Sequence, residues 1–172
     1  MTDMEHIKTA FERNVQMLTL RPSIAQKTYV TKVRVHNGLT CEIEDGPWRL
    51  TADLAHKCGG HEAGPTPGTF GRAALGSCLA MSYVMWAAKL GVALTWIEVE
   101  VQADADARGM YGVDEVPAGY TEVRYLVSLA SPAPEEAILR LLDIAEAHSP
   151  YVDVFRRQQA LRRIVHISRG EE

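Results

Sequence analysis

The chain has 172 residues, 47% of them hydrophobic, and a formal net charge of -4 from 18 basic and 22 acidic residues that are interspersed. That length supports one domain with a sizeable core. The mild acidity, without a cluster of Lys and Arg, gives no phosphate-binding surface and argues against a nucleic-acid partner. Three cysteines without regular spacing do not make a disulfide framework. Met1-Thr2-Asp3-Met4-Glu5 lacks the basic start of a secretory signal, so a reduced, cytoplasmic protein is expected.

In chain order, residues 4–18 carry Ile7, Ala10, Phe11, Val15, Met17 and Leu18 at helical spacing, and Pro22 ends the helix. Residues 28–35 alternate Tyr29, Thr31, Val33 and Val35 with polar partners, as a strand does. Asn37-Gly38 signals a hairpin turn, with return strand 39–44. Asp45-Gly46-Pro47 marks a second turn, and 48–54 a third strand. Residues 56–68 form a Gly- and Pro-rich loop, and 69–90 a long apolar helix closed by Gly91. Strands are expected at 94–105 and 120–129, separated by a loop over 106–119. Glu135 and Glu136 suit the first turn of a helix running to about Ala147. His148-Ser149-Pro150 breaks it; a short helix over 151–159 and a final strand over 161–168 follow.

Strands joined by short turns pair antiparallel, and helices then cover one side, so the fold class is α+β. Small sheets are marginal alone; these must share the 69–90 helix as core or be completed by a second chain. The helix is long enough to span a membrane. Arg72 and Lys89 inside it, and the absence of a second such run, speak against that; an all-round apolar helix is equally the centre of a soluble core.

Cys78 lies in the middle of this helix. A thiol among small residues there is either a core residue or a placed nucleophile. Met81 and Met85 share its face at i+3 and i+7, and with Trp48, Trp86 and Trp96 they either line an apolar pocket or fill core. Cys58 belongs to the loop His56-Lys57-Cys58-Gly59-Gly60-His61-Glu62. It is a plain loop residue, a redox partner for Cys78, or with His61 a metal ligand, although the spacing matches no standard zinc site and no metal is expected. Cys41, in a hairpin strand, reads as structural. Ser149-Pro150 reads as a helix start, Ser at the N-cap and Pro at N1.

Several of these segments, in this order, resemble the OsmC/Ohr family: Gly59-Gly60 ahead of Gly64-Pro65-Thr66-Pro67, Ala74-Leu75-Gly76-Ser77-Cys78-Leu79, Gly91 before a Val-Glu-Val strand, Arg108-Gly109 through Gly119-Tyr120, and His148-Ser149-Pro150. The likeness extends to a branch with an added N-terminal helix and Ser-Pro in the late turn. It implies one domain over 1–172: an N-terminal helix within 1–20, strands within 28–54, the central helix 69–90, and a strand-helix-strand portion over 94–168. It also implies an intertwined homodimer with antiparallel sheets around the buried central helices, which the small Ala73, Ala74, Gly76, Ser77 and Ala80 suit. In the family's peroxide-reducing members, a cysteine on the central helix attacks an organic hydroperoxide and a second cysteine closes a disulfide. A Glu and an Arg hold the thiolate, and a dithiol restores the enzyme.

Carried over residue by residue, only Cys78 is retained. Ser149 stands at the second cysteine, Gly68 where the Glu would follow Pro67, and His36-Asn37 near the Arg. An ordinary thiol titrates at about pH 8.5 and apolar burial raises that, so a cation is wanted. Arg72, six residues back, falls on another face of the helix, leaving Arg34, Arg49 and Arg108 as candidates. Two functions are therefore expected. One is thiol-dependent reduction of organic hydroperoxides through Cys78, without bound cofactor, restored by an external dithiol or by Cys58. The other is a non-catalytic homodimer that holds a hydrophobic small molecule at its interface.

Overall fold

The computed structural model describes residues 2–168. Helix α1 (Asp3–Leu20) opens with a capping box: the Thr2 hydroxyl accepts from the Glu5 backbone N–H, and the Glu5 carboxylate accepts from the Thr2 N–H. A short 3-10 turn, Pro22–Ala25, ends this segment. Strands β1 (Lys32–Val35), β2 (Cys41–Asp45) and β3 (Trp48–Ala52) form an antiparallel meander. Gly38 (φ +61°) sits in the first turn, and Gly46-Pro47 joins Asp45 to its partner Trp48 in the second.

Helix α2 (Pro67–Leu90) starts two residues earlier than its apolar run, because Thr66 caps it by accepting from the Thr69 N–H at 3.3 Å and Pro67 suits the first turn. It ends at Gly91, whose φ of +71° closes the last turn. Strands β4 (Trp96–Ala105) and β5 (Tyr120–Ala130) make a long two-stranded ribbon. The loop expected between them contains a one-turn helix, α3 (Ala107–Tyr111), capped by the Asp106 carboxylate. Helices α4 (Glu135–Ala147) and α5 (Pro150–Arg156) follow.

The core is one face of α2 against the ribbon and the two late helices. Leu75, Leu79 and Tyr83 are buried with Ala145 and Val152, and Ile97, Val99, Val101, Val123, Tyr125 and Val127 pack on them. Gly76 faces β4: a Cβ there would stand 3.2 Å from Val101 Cγ2. The smallness of Gly76 thus serves the approach of α2 to its own ribbon.

The opposite face of α2 is open. Met81 is 60% exposed, Ala73, Ser77 and Met85 are also exposed, and the helix is not surrounded by its own chain. The meander is largely exposed: only Ala52 is buried, and Cys41, Ile43 and Glu44 of β2 are half-buried. Two strand expectations need correction. The first strand is confined to Lys32–Val35, and residues 161–168 form no strand. A strand exists only when a neighbour accepts and donates along its edge, and neither sheet pairs with this segment. Leu161, Ile164 and Ile167 are left 99%, 83% and 86% exposed.

Candidate functional site

Cys78 opens into a cavity of about 630 Å³ on the uncovered side of α2. From α2 come Ala74, Ser77, Met81, Ser82, Met85 and Trp86. The far wall is Phe11 of α1 together with His148, Pro150 and Tyr151 from the α4–α5 junction. Met81, Met85 and Trp86 thus meet around Cys78, as the helical spacing indicates. Trp48 and Trp96 do not: both lie on exposed strand faces.

Ser149 is 2% exposed, and its hydroxyl lies 3.4 Å from Cys78 Sγ, within hydrogen-bonding range for sulfur. It occupies the N-cap position of α5 with Pro150 after it, yet its side chain makes no capping bond. The expected helix start is there; the expected use of the hydroxyl is not, because the side chain is spent on the sulfur instead. Next to it, His148 Nδ1 is 2.8 Å from the Ile144 carbonyl. A carbonyl only accepts, so Nδ1 carries a proton and Nε2 is the nitrogen left free. The imidazole packs on Trp86 at a tilt of 42°, with centroids 4.8 Å apart, and Trp86 meets Phe11 edge to face at 5.1 Å.

The α4–α5 junction is pinned to α2 by Glu146. Its carboxylate accepts from Tyr83 Oη at 2.9 Å and Tyr125 Oη at 2.7 Å, with Arg156 at 3.8 Å. Burial, then the bond to Glu146, raises the pKa of the Tyr83 phenol and pushes Tyr125 up to about 12. Both phenols remain donors throughout the physiological range. Sequence reasoning did not pick out these residues. Tyr83 and Glu146 are far apart in the chain, and no local pattern signals their meeting.

The three arginines considered as cations for Cys78 are engaged elsewhere. Arg34 and Arg49 flank Glu44 at 3.2 and 3.3 Å. Arg108 binds Asp106 and Asp114. Arg72 donates to Tyr120 Oη, and that hydroxyl in turn donates to the Gly68 carbonyl at 3.0 Å. A Cβ at Gly68 would lie 3.2 Å from the same hydroxyl, so Tyr120 and Arg72 occupy the space a longer side chain would need. Among the described residues, no Lys or Arg lines the Cys78 cavity.

Cys58 lies in a 3-10 turn, His56–Cys58, against Tyr111 of α3, whose phenol pKa is raised by the neighbouring Cys58 side chain. It is not among the residues lining the Cys78 cavity. Cys41 is half-buried on β2 with its Sγ 3.6 Å from the Leu39 carbonyl. His61 Nε2 stands 3.4 Å from where a Cβ on Gly38 would be. Among the described residues no group of three or more His, Cys, Asp or Glu is gathered that could hold a metal ion.

The loop before α2 is organised by Asp53, 2% exposed and not recognised from the sequence. Its carboxylate accepts from the Thr40 hydroxyl and from the backbone N–H of Leu54, His61 and Ala63. Burial alone would raise its pKa; those four donors outweigh it and hold the carboxyl below the usual carboxylate range.

Residues 59–162 match the model of the OsmC-like protein family. The fold is similar to that of an OsmC-like protein from Mycoplasma pneumoniae, at TM-score 0.65 and 15% identity over 76% of this chain and 89% of that one. It is similar also to an organic hydroperoxide resistance protein OsmC from Legionella pneumophila, at TM-score 0.57 and 18% identity over 76% and 90%. A third likeness is to a putative organic hydroperoxide resistance protein from Vibrio cholerae with captopril bound in one of its active sites, at TM-score 0.52 and 17% identity over 76% and 87%. No curated protein matches the sequence. With more than half of its length matched by the family model, and with Cys78, the central helix and the late turn all inside the matched residues, the chain belongs to the OsmC-like protein family.

Proposed function

We propose that this protein reduces organic hydroperoxides with Cys78 as a single catalytic thiol. The observation that carries the reading is the position of the sulfur: half-buried at an apolar cavity, 3.4 Å from the buried Ser149 hydroxyl. A hydrophobic hydroperoxide would enter along Met81, Met85 and Trp86. The Cys78 thiolate attacks the distal peroxide oxygen; an S–O bond forms, the O–O bond breaks, and the alcohol leaves after taking one proton. Cys78 is oxidised by two electrons to the sulfenic acid and the peroxide is reduced by two. Against the thiolate the Ser149 hydroxyl is the donor, since a thiolate only accepts, but it cannot form a disulfide. Cys58, which does not line the cavity, is not favoured as the partner. Reduction therefore falls to an external dithiol: its first thiol attacks the sulfenic sulfur and releases water, and its second displaces Cys78 from the mixed disulfide. Three free cysteines suit the reducing cytoplasm.

The working unit of this proposal is a homodimer. A compact monomer of 19.0 kDa exposes about 8,400 Å², whereas this chain exposes 13456 Å². The uncovered face of α2 around the mouth of the Cys78 cavity, the exposed meander strands and the apolar residues of 161–168 account for where a second copy would pack, which puts the cavity at the interface.

One observation favours a different reading. No arginine or lysine among the described residues lines the cavity, so none of them supplies the cation that usually activates a thiolate. On that reading the pocket binds a hydrophobic small molecule without turning it over. The deciding experiment treats reduced protein with one equivalent of an alkyl hydroperoxide and a sulfenic-acid trap, and maps the adduct by mass spectrometry. An adduct on Cys78, with peroxide consumption abolished in Cys78→Ser, is the expected result. Folded protein whose Cys78 stays unoxidised over minutes would leave the binding reading in its place.

A further inference from the structure

Helix α1 lies outside the residues that the family model matches, and none of its described residues is fully buried. It contributes nothing to the core that holds α2 against the ribbon. What it does contribute is Phe11. This ring forms part of the wall of the Cys78 cavity, stands edge-on to Trp86 at a 70° interplanar angle, and lies under Lys89 Nζ at 4.8 Å from its centroid. Trp86 in turn meets His148. The result is a continuous row of three rings, Phe11, Trp86 and His148, along one side of the cavity. Met81 and Met85 line the same cavity, and they are flexible, unbranched chains that adapt to what enters.

We propose that α1 is the specificity element of this pocket, and that Phe11 with Trp86 and His148 selects ring-bearing ligands over straight-chain ones of equal apolar content. Apolar burial alone favours both alike. A ring adds edge-to-face or offset contact with the wall, an attraction that an alkyl chain lacks. Each such contact is worth about fivefold in affinity. For the proposed reaction the preferred substrate is then an aryl hydroperoxide. That clause rests on the peroxide-reducing reading; the binding preference does not.

The test separates the two. Binding of 2-phenyl-2-propanol, the alcohol formed from cumene hydroperoxide, and of 2-methyl-2-hexanol, in which a butyl chain of similar apolar content replaces the ring on the same tertiary alcohol, is measured by ligand-observed NMR on the Cys78→Ser protein. The same protein is then measured with Phe11→Leu or Phe11→Trp added. The expected result is tighter binding of the aryl alcohol, a loss of about fivefold in the aryl-to-alkyl ratio with Phe11→Leu, and a retained ratio with Phe11→Trp. Equal binding of the two alcohols, an unchanged ratio in Phe11→Leu, or an equal weakening of both ligands would overturn the proposal, the last because α1 would then be only a cover. Consumption of cumene hydroperoxide is followed separately in protein that retains Cys78. If Cys78 is not oxidised while the ratio shifts as expected, the peroxidase reading falls and the role of α1 stands. Turnover with a ratio indifferent to Phe11 gives the reverse.

Discussion

Ser149 and Cys78 form the contact on which the proposed chemistry turns. A buried serine must satisfy its hydroxyl, and Ser149 does so against sulfur instead of capping α5. The side chain therefore stands where a resolving thiol would stand. Ser149→Cys is predicted to form a disulfide with Cys78 after one equivalent of organic hydroperoxide, because the two atoms need only close from 3.4 Å to about 2.05 Å. Peptide mapping without reductant would detect it. A sulfenic acid that remains trappable on Cys78, with no disulfide, would mean that the turn cannot bring two sulfurs together.

At the scale of elements, α2 is aimed by what precedes it. The loop after β3 is tied to Asp53 by three backbone N–H groups and the Thr40 hydroxyl. It packs so closely that a Cβ on Gly60 would collide with the Leu54 carbonyl, and one on Gly64 with that of Thr51. Because the folded pKa of Asp53 is below that of the unfolded chain, about 3.9, its contribution is present in full above about pH 4. It is lost as pH falls further through the folded value. Asp53→Asn is predicted to lower the melting temperature at neutral pH and to flatten its decline below about pH 4. Thermal melts of both proteins across that range test this, and parallel curves would refute it.

For the whole molecule, the excess exposed surface and the unpaired apolar residues of 161–168 belong together. Ile164 and Ile167 are 83% and 86% exposed in one chain, a poor arrangement for a monomer and a reasonable one for a segment that pairs with a second copy. Sedimentation at micromolar concentration is predicted to give twice the 19.0 kDa chain mass, and Ile164→Lys with Ile167→Lys is predicted to shift the protein towards monomer. A wild-type monomer would contradict the dimer.

Local chemistry was enough to read much of this fold from the chain. Alternation marked the meander and the ribbon, Gly91 closed α2, although the Thr66-Pro67 start lies two residues before the apolar run, and the Met81 and Met85 spacing put both beside Cys78. These are contacts within a few residues, where the backbone period decides which side chains share a face. Only the tertiary structure decided that Ser149 spends its hydroxyl on sulfur, that Glu146 joins Tyr83 to Tyr125, that Asp53 organises the loop, and that Phe11 completes the pocket wall. Each joins residues distant in sequence, and nothing local encodes such a meeting. The failure of residues 161–168 to form a strand has the same cause: alternation supplies the faces, but a strand needs an edge to pair with, and within one chain this segment meets neither sheet.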